Sequence, residues 1–554
     1  MLRKLSALLV LVIVVGLLAG CPLPPPQVVE KEVVVEKTVI ETVVIEKQVV
    51  IEKEVMVTPI PEPAAKAKYI FLFIGDGMAV AQRTSAEVYR AAIEGGRPEA
   101  LKLVMNSFPG QGMNTTYDLT SVIPDSASTG TALATGQKTS SGRISMDADG
   151  KEVFETIAEM AKAKGMKVGI VSSVSIDHAT PASFYAHQTS RNNYYEISHE
   201  LANSGFDYFG GGPPKYPAGK EGDKADAIEA AKANGYTVAV GRAEFDKLAP
   251  EMGKVWAMPD YTIGGNALYY ALDRPADDVT LAEYTAKGIE LLDNPDGFFM
   301  MVEGGKIDWA CHANDAGTAI NDTLAFDAAV AEGVKFYEQH PAETLIVVTG
   351  DHECGGMTIG FAGTRYATFF DKIQHQTMSC DTFSGNLAEY KETHTPADVK
   401  FEDMVPMIEE AFGLYVIPAD EKAALEKAVA DGKAEGASDD AINAGKEAEK
   451  ELTQSMALTD LELEILVGAF EQSMLGKEER ATDDYTYLLY GGYEPLTVKL
   501  TTILNQKAGI SWTSYSHTGI PVQTSALGVG YERFNGYYDN TDVAKNIMAI
   551  AGFD

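Results

Sequence analysis

The sequence predicts an α/β fold with a largely parallel central sheet, helices on both faces, and a mostly helical insertion. Apolar runs of five or six residues recur without alternation, as expected of strands that are buried on both faces of a sheet. Between about 382 and 491 the chain becomes rich in Glu, Lys and Ala and poor in β-branched residues, which favours helices. With 554 residues, 45% of them hydrophobic, the chain can bury a sizeable core.

Each predicted strand is followed by polar residues. The runs and their neighbours are 69–74 before Asp76, 167–171 before Asp177, 298–302 before Glu303, and 344–349 before Asp351. Open α/β sheets place their sites at the carboxyl ends of the strands, so we expect these residues to share one edge of the sheet. Near the end of the chain a further strand-like run starts at Val522, and residues 540–542 are predicted to cap a helix over 543–551.

The predicted insertion spans 381–490 and divides the α/β core into 67–380 and 491–554. It separates His352 from His517 along the chain. Three roles are open for it: a cap over the site, a dimer contact, or a surface for another partner.

The first residues carry the pattern of an export signal. Residues 5–20 form an apolar run after two basic residues, and this run is shorter than the roughly 20 residues of a membrane-spanning helix. It ends in Leu-Ala-Gly before Cys21, which resembles the lipobox of bacterial lipoproteins; an ordinary signal peptide with a chance cysteine is the alternative. We therefore expect a signal peptide over 1–20, a lipidated Cys21 that anchors the protein to the cell membrane, and an extracytoplasmic location.

Residues 21–66 form a predicted stalk. Two similar 16-residue copies, 27–42 and 43–58, lie between proline-rich flanks. Val and Ile favour extended structure, whereas the Glu and Lys pattern is also compatible with a coiled coil, so the conformation is open.

The charge balance and the cysteines limit the classes of function. Asp and Glu number 80 against 45 Lys and Arg, and the net charge of −35 repels nucleic-acid phosphates, so nucleic-acid binding is not expected. Beyond Cys21 the cysteines are Cys311, Cys354 and Cys380. One pair can oxidise in an exported protein, and Cys311 and Cys354 either form a disulfide or remain buried thiols.

Several acids and histidines have the spacing of metal ligands. Asp308 and His312 are four residues apart, so one helical turn places both on the same face. Glu303 ends one predicted strand, and Asp351 and His352 follow another. Carboxylates and imidazoles suit zinc, while carboxylates, hydroxyls and water suit magnesium. Two zinc ions about 4 Å apart can hold the attacking and leaving oxygens of an in-line displacement, which indicates phosphoryl transfer.

A nucleophile for that reaction is available in a turn of small residues. Asp125 and Ser126 open the stretch DSASTGT, which leads into a predicted helix. Small residues let the backbone approach a phosphate, and the amino terminus of a helix favours its negative charge. Ser126 is therefore the candidate nucleophile.

Six motifs, in chain order, resemble those of alkaline phosphatases. They are Phe73-Ile74-Gly75-Asp76-Gly77-Met78, Asp125-Ser126-Ala127, His178-Ala179-Thr180-Pro181 with Arg191, Glu303 through His312, Asp351-His352, and His517-Thr518-Gly519. The match covers most of 68–380 and 500–554. The resemblance implies an alkaline phosphatase-like fold and the hydrolysis of small phosphate monoesters. The oligomeric state is open, and a homodimer is one alternative.

The resemblance also implies a role for each matching residue. Ser126 attacks phosphorus to form a phosphoserine, Arg191 holds the non-bridging oxygens, and Asp125 orients Arg191. His178 joins Ser126 and Arg191 in substrate binding, and it stands where the best-known periplasmic type has Asp. Because that type also has Lys where this chain has Trp309, we expect altered magnesium affinity and pH dependence without loss of activity.

Two zinc ions and one magnesium ion are implied as cofactors. The ligands of the first zinc are Asp308, His312 and His517; those of the second are Asp76, Asp351 and His352; magnesium is held by Asp76, Thr180, Glu303 and water. His375 and His394 compete with His517 as ligands, but the sequence around His517 matches the family. The alternatives for function are a phosphodiesterase of the same superfamily and a non-catalytic phosphate-binding lipoprotein.

Overall fold

A computed structural model describes residues 66–396 and 399–553. The strands, in chain order, are β1 Tyr69–Gly75, β2 Gly110–Thr115, β3 Lys167–Ser175, β4 Tyr208–Gly212, β5 Tyr236–Val240, β6 Lys254–Met258, β7 Phe298–Gly304, β8 Thr344–Gly350, β9 Glu353–Cys354, β10 Thr358–Ile359, β11 Ile510–Ser511, β12 His517–Thr518, β13 Val522–Gly528 and β14 Gly536–Asp539. Ten of them form one sheet in the order β14-β2-β13-β8-β1-β7-β3-β4-β6-β5.

The sheet is largely parallel. Strand β13 is antiparallel to both of its neighbours, β2 and β8, and the other pairs in the sheet are parallel. The predicted strands at 69–74, 167–171, 298–302 and 344–349 lie within β1, β3, β7 and β8. The predicted α/β class with a largely parallel sheet is therefore confirmed.

Helices connect the strands and follow them. Up to residue 339 they are α1 Val80–Glu94, α2 Ser126–Thr135, α3 Ile157–Ala163, α4 Ala179–Ala182, α5 Tyr194–Asn203, α6 Ala227–Ala233, α7 Arg242–Phe245, α8 Leu281–Leu292, α9 Lys306–His312 and α10 Ala316–Gln339. The later helices are α11 Cys380–Thr393, α12 Val405–Phe412, α13 Ala419–Lys433, α14 Asp439–Gln454, α15 Asp460–Met474, α16 Asp484–Tyr490, α17 Pro495–Ala508 and α18 Thr541–Ala551. The stretch rich in Glu, Lys and Ala is thus helical, as predicted.

Strand β1 shows why the apolar runs do not alternate. Phe71 and Phe73 pack into the core on one side of the sheet, and Ile70 and Leu72 pack into a second core on the other side. Helix α10 contributes to the first core, while α2 and α18 contribute to the second. Because helices cover both faces, every residue of β1 is buried.

The register of the central strands brings the predicted site residues to one edge. Gly75 pairs with Gly304 of β7 and with Gly350 of β8, so the three parallel strands end at the same level. Asp76 and Asp351 directly follow two of these ends. The short antiparallel pair of β9 and β12 then places His517 opposite Cys354, and this pairing returns the chain to the site after the helical stretch.

The N-cap of the last helix differs from the one that the sequence predicts. Helix α18 begins at Thr541, and Asn540 is at its N-cap position without a capping side-chain hydrogen bond. Its Oδ1 instead accepts a hydrogen bond of 2.7 Å from Lys138 Nζ. A tertiary contact has therefore replaced the local cap.

The predicted signal peptide, Cys21 and nearly all of the stalk lie outside the described residues. Within the described ranges, no helix combines the length and the apolar character that a membrane span requires.

Candidate active site

Asp308, His312 and His517 form a first group of converging ligand atoms. Helix α9 carries Asp308 and His312 one turn apart, with Asp308 Oδ2 3.4 Å from His312 Nε2. His517 Nε2 lies 3.1 Å from His312 Nε2 and 3.5 Å from Asp308 Oδ1. Ligand atoms of a tetrahedral zinc at its ordinary bond lengths are about 3.3 Å apart, so these separations fit zinc.

The other ring nitrogens orient the two histidines toward the group. His312 Nδ1 donates to the carbonyl of Tyr515 at 2.7 Å, and His517 Nδ1 donates to the carbonyl of Pro124 at 2.8 Å. The Nε2 atoms of both rings thus point toward each other and toward the buried carboxylate of Asp308. A cation between them would have both rings and this carboxylate as ligands.

A second group surrounds His352 at the ends of β1 and β8. His352 Nε2 lies 3.3 Å from Asp76 Oδ1 and 3.2 Å from Asp351 Oδ2, and all three side chains are fully buried. Asp308 also approaches Asp76 and His352, with ligand atoms within 4.8 Å of one another. The His352 and His517 rings stack with centroids 3.6 Å apart, so the first and second groups adjoin.

A third group contains Asp76, Glu303 and His178, whose ligand atoms also lie within 4.8 Å of one another. Thr180 Oγ1 donates to Asp76 Oδ2 at 3.5 Å. Ser172 donates to Glu303 Oε2, and Glu303 Oε1 is buried without a hydrogen-bond partner in the described structure. The expected magnesium ligands are thus close together, and His178 is beside them as well as beside the expected substrate group Arg191.

Three of the buried carboxylates in these groups have raised pKa values, whereas the pKa of Asp308 is lowered because His312, His517 and His352 outweigh the effect of its burial. Burial and the neighbouring Asp351 and Asp308 raise the pKa of Asp76 well above its ordinary value. Burial raises the pKa of Glu303 to about 8 and, together with Asp308, raises that of Asp351 to about 7. Buried carboxylates are stable when they are paired or bind metal, so the residues present fit divalent cations.

Ser126 is the first residue of helix α2 and lies against the second group. Its Oγ is 3.1 Å from His352 Nε2. Asp125 caps the helix by accepting a 3.1 Å hydrogen bond from Ser128 N, which fixes the backbone at Ser126. Thr129, one turn further along, donates to Asp351 Oδ2 at 3.0 Å and ties the same helix to the end of β8.

Arg191 faces the same region from the loop before α5. Its Nη1 donates to Asp125 Oδ2 at 3.1 Å, and its Nη2 donates to His178 Nε2 at 3.3 Å. Burial and the charge of Arg191 lower the pKa of His178 to about 3, so its imidazole is neutral and accepts this bond. Asp125 and His178 therefore hold the guanidinium near the amino terminus of α2.

The cysteines near the site carry free thiols. Cys311 and Cys354 are buried, and neither forms a disulfide within the described ranges. The Cys354 thiol donates to the backbone carbonyl of Asp308 at 3.6 Å and lies within the first ligand group. Burial raises the pKa of this thiol well above its ordinary value, which favours the protonated form.

The competing histidines lie elsewhere. His394 is exposed, stacks on Tyr390 at 4.0 Å between ring centroids, and has its Nδ1 2.9 Å from the Tyr390 carbonyl. His375 is exposed, and neither residue belongs to the ligand groups found among the described residues. His517 is the histidine that the fold brings to the site.

Glu353 supports the site and was not predicted from the sequence. Its Oε1 accepts from Gln82 Nε2 at 3.0 Å and from Met357 N at 3.1 Å. Its Oε2 accepts from Gly356 N at 3.1 Å and from the hydroxyl of Thr518, next to His517. The available signal was its place directly after Asp351 and His352, but two of its partners, Gln82 and Thr518, come from distant segments.

Replacing Glu353 by glutamine should lower the free energy of unfolding by about 2–4 kcal/mol, because an amide nitrogen would face donors that a carboxylate oxygen now accepts. The measurement is chemical denaturation with metal content determined in parallel. Exposed Glu338 on α10 offers the matched control, since Glu338→Gln should change stability by less than about 0.5 kcal/mol. Equal effects in the two variants would contradict a supporting role for Glu353.

Comparison with known proteins agrees with this geometry. The family model described as alkaline phosphatase matches residues 67–410. Alkaline phosphatase 3 of Bacillus subtilis (strain 168) is 29% identical over 491 residues, which cover 87% of this chain and 88% of the relative. A cold-active alkaline phosphatase from a psychrophilic Shewanella sp. has 27% identity and a TM-score of 0.67, and the alignment covers 87% of this chain and 99% of that structure.

A further solved structure shares the fold. It is a variant of the alkaline phosphatase from the Antarctic bacterium TAB5, with 21% identity, a TM-score of 0.56, and coverage of 88% of this chain and 99% of that chain. That structure is described with Mg bound in its M3 site. The family model spans well over half of the sequence, and so the chain belongs to the alkaline phosphatase family.

Proposed function

We propose that this protein hydrolyses phosphate monoesters through a phosphoserine intermediate, using two zinc ions and one magnesium ion. The observation that carries the proposal is the position of Ser126 Oγ, at the start of a helix and 3.1 Å from His352 Nε2. Two ligand groups adjoin it, and Arg191 is held nearby by Asp125. A nucleophile, an anion-binding guanidinium and cation ligands thus meet at one edge of the sheet.

The proposed assignment of ligands follows the three groups. Asp308, His312 and His517 would hold one zinc ion, and Asp76, Asp351 and His352 the other. Asp76, Glu303 and Thr180 would hold magnesium together with water. When bound, zinc stabilises negative charge on the transferring phosphoryl group and lowers the pKa of water to about 7.

The protein residues direct the transfer. The amino terminus of α2 and the guanidinium of Arg191 favour the negative oxygens of the phosphoryl group, and Asp125 keeps the guanidinium in position. Ser126 Oγ forms a bond to phosphorus as the bond to the alcohol oxygen breaks. Water then attacks phosphorus, the bond to Ser126 Oγ breaks, and phosphate is released. Two in-line displacements give retention at phosphorus.

The first test compares p-nitrophenyl phosphate with bis-p-nitrophenyl phosphate at pH 7 to 10, using the purified full-length protein. We expect kcat/KM to be at least about 100-fold higher for the monoester, since Arg191 supports a doubly charged phosphoryl group. Chelation should remove the activity, and zinc with magnesium should restore it. Preference for the diester would instead indicate a phosphodiesterase, and inactivity of the metal-replete protein on both would indicate a phosphate-binding protein.

We also propose that the protein is exported and tethered to the cell membrane through a lipidated Cys21. The support is the apolar run over 5–20, which ends directly before this cysteine in a lipobox-like sequence. The strongly acidic composition is compatible with an extracytoplasmic location.

A further inference from the structure

A cavity of about 320 Å³ opens beside the first ligand group. His312 lines it, which connects the cavity to the site of the chemistry. Three aromatic residues, Tyr270, Trp309 and Tyr493, line it, and Asp381 lines it as well. Neither the metal groups nor the phosphoryl-binding residues account for this aromatic wall.

The charge among the residues that line the cavity is negative. Among the described residues that line the cavity, Asp381 alone carries a carboxylate, and none is Lys or Arg. Asp381 is exposed at the start of α11, so it remains accessible to a ligand. Aromatic faces and a carboxylate together favour a positively charged group, and alkylammonium groups are the class that such surfaces bind.

Two of these rings, those of Tyr270 and Trp309, also contact a cation of the protein. Lys306 Nζ lies 3.4 Å from the centroid of the Tyr270 ring and 4.9 Å from that of Trp309. Lys306 is buried and does not line the cavity. Asp322, Asp381 and Asp273 interact electrostatically with it. The contact with Lys306 shows that this aromatic wall already accepts a positive charge.

We propose that this cavity binds the alcohol part of the substrate and selects phosphate monoesters whose alcohol carries an ammonium group. The inference rests on the proposed function, because it takes His312 to lie beside the leaving oxygen. The phosphoryl group binds at Ser126 and Arg191, the alcohol passes His312, and the ammonium group contacts the aromatic wall and Asp381.

The lining disfavours two other classes of alcohol. A second anionic group would face Asp381 without a basic residue in the lining to neutralise it. A neutral alkyl group would contact the rings but would gain nothing from Asp381. Charge, rather than size or shape, is therefore the property by which the cavity should distinguish substrates.

The experiment compares phosphocholine with 3,3-dimethylbutyl phosphate, which has the same shape but a carbon atom in place of the charged nitrogen. Both are assayed by phosphate release with the metal-replete full-length protein, beside p-nitrophenyl phosphate. We expect kcat/KM to be about tenfold higher for phosphocholine than for its neutral isostere. A ratio of one or below, with p-nitrophenyl phosphate hydrolysed normally, would overturn this inference alone.

Variants of the cavity residues test whether the cavity causes the preference for phosphocholine. Asp381→Asn and Tyr493→Leu should each lower the phosphocholine to isostere ratio by about threefold or more, whereas Tyr493→Phe should keep it. Glu389→Gln removes an exposed negative charge from the same helix, away from the cavity lining, and should keep the ratio as well. Unchanged ratios in Asp381→Asn and Tyr493→Leu would overturn the inference. Failure of the wild-type protein to hydrolyse all three substrates would instead reject the proposed phosphatase function.

Discussion

The Ser126→Ala variant is expected to lose monoester hydrolysis by about 10³-fold or more, because no other group would form the covalent bond to phosphorus. Incubation with a ³²P-labelled monoester at acidic pH should label the wild-type protein on serine and leave the variant unlabelled. The fold should be unaffected, since Asp125 caps helix α2 through the backbone of Ser128 and not through the Ser126 side chain.

Metal content separates this result from damage to the site. Ser126 Oγ contacts His352 at 3.1 Å, but the ligand groups do not depend on the hydroxyl, so bound zinc and magnesium should stay near wild-type values. Ser107, which is exposed, provides the control: Ser107→Ala should retain both activity and labelling. Retention of more than about a tenth of the wild-type kcat/KM by Ser126→Ala would remove Ser126 from the mechanism.

Much of the site could be predicted because its residues follow strands with a strong local pattern. Phe71, Phe73 and their neighbours in β1 are apolar at every position, which indicates burial on both faces without any knowledge of the partners. Parallel strands of similar length then end at one edge, and Asp76 and Asp351 meet there. The helical spacing of Asp308 and His312 is equally local.

The supporting contacts could not be predicted in this way. Glu353 accepts hydrogen bonds from Gln82 of α1 and from Thr518 of β12. Because both partners are distant in the chain, no local sequence pattern predicts them. At Asn540 a local prediction was wrong. Asn at this position favours an N-cap hydrogen bond, but its side-chain oxygen accepts a hydrogen bond from Lys138 instead. Both outcomes depend on the assembled structure.

The role of the helical stretch also could not be predicted from the sequence. Composition predicted helices for it, because Glu, Lys and Ala favour that conformation, but composition does not specify packing partners. In the structure Asp381, at its start, and Tyr493, just after its end, line the cavity next to His312. One residue at the boundary of the stretch therefore lies beside the cavity, and the three roles of the stretch stay open.

The His517→Ala variant is expected to lose one zinc ion per chain. His517 Nε2 is one of the three converging ligand atoms of the first group, and the contact of its Nδ1 with the carbonyl of Pro124 orients the ring so that Nε2 faces the group. Removing the ring leaves Asp308 and His312, and two ligands bind zinc far more weakly than three. The zinc dissociation constant of this group should rise by at least about 100-fold, and kcat/KM should fall with it.

Elemental analysis after dialysis at a fixed free zinc concentration measures this loss independently of catalysis. His394→Ala is the matched control, because His394 was the competing candidate in the sequence, is exposed, and stacks on Tyr390 away from the ligand groups. It should retain full metal content and activity. If His394→Ala lost zinc while His517→Ala kept it, the ligand assignment would be reversed, and the pairing of β9 with β12 could not be what completes the metal centre.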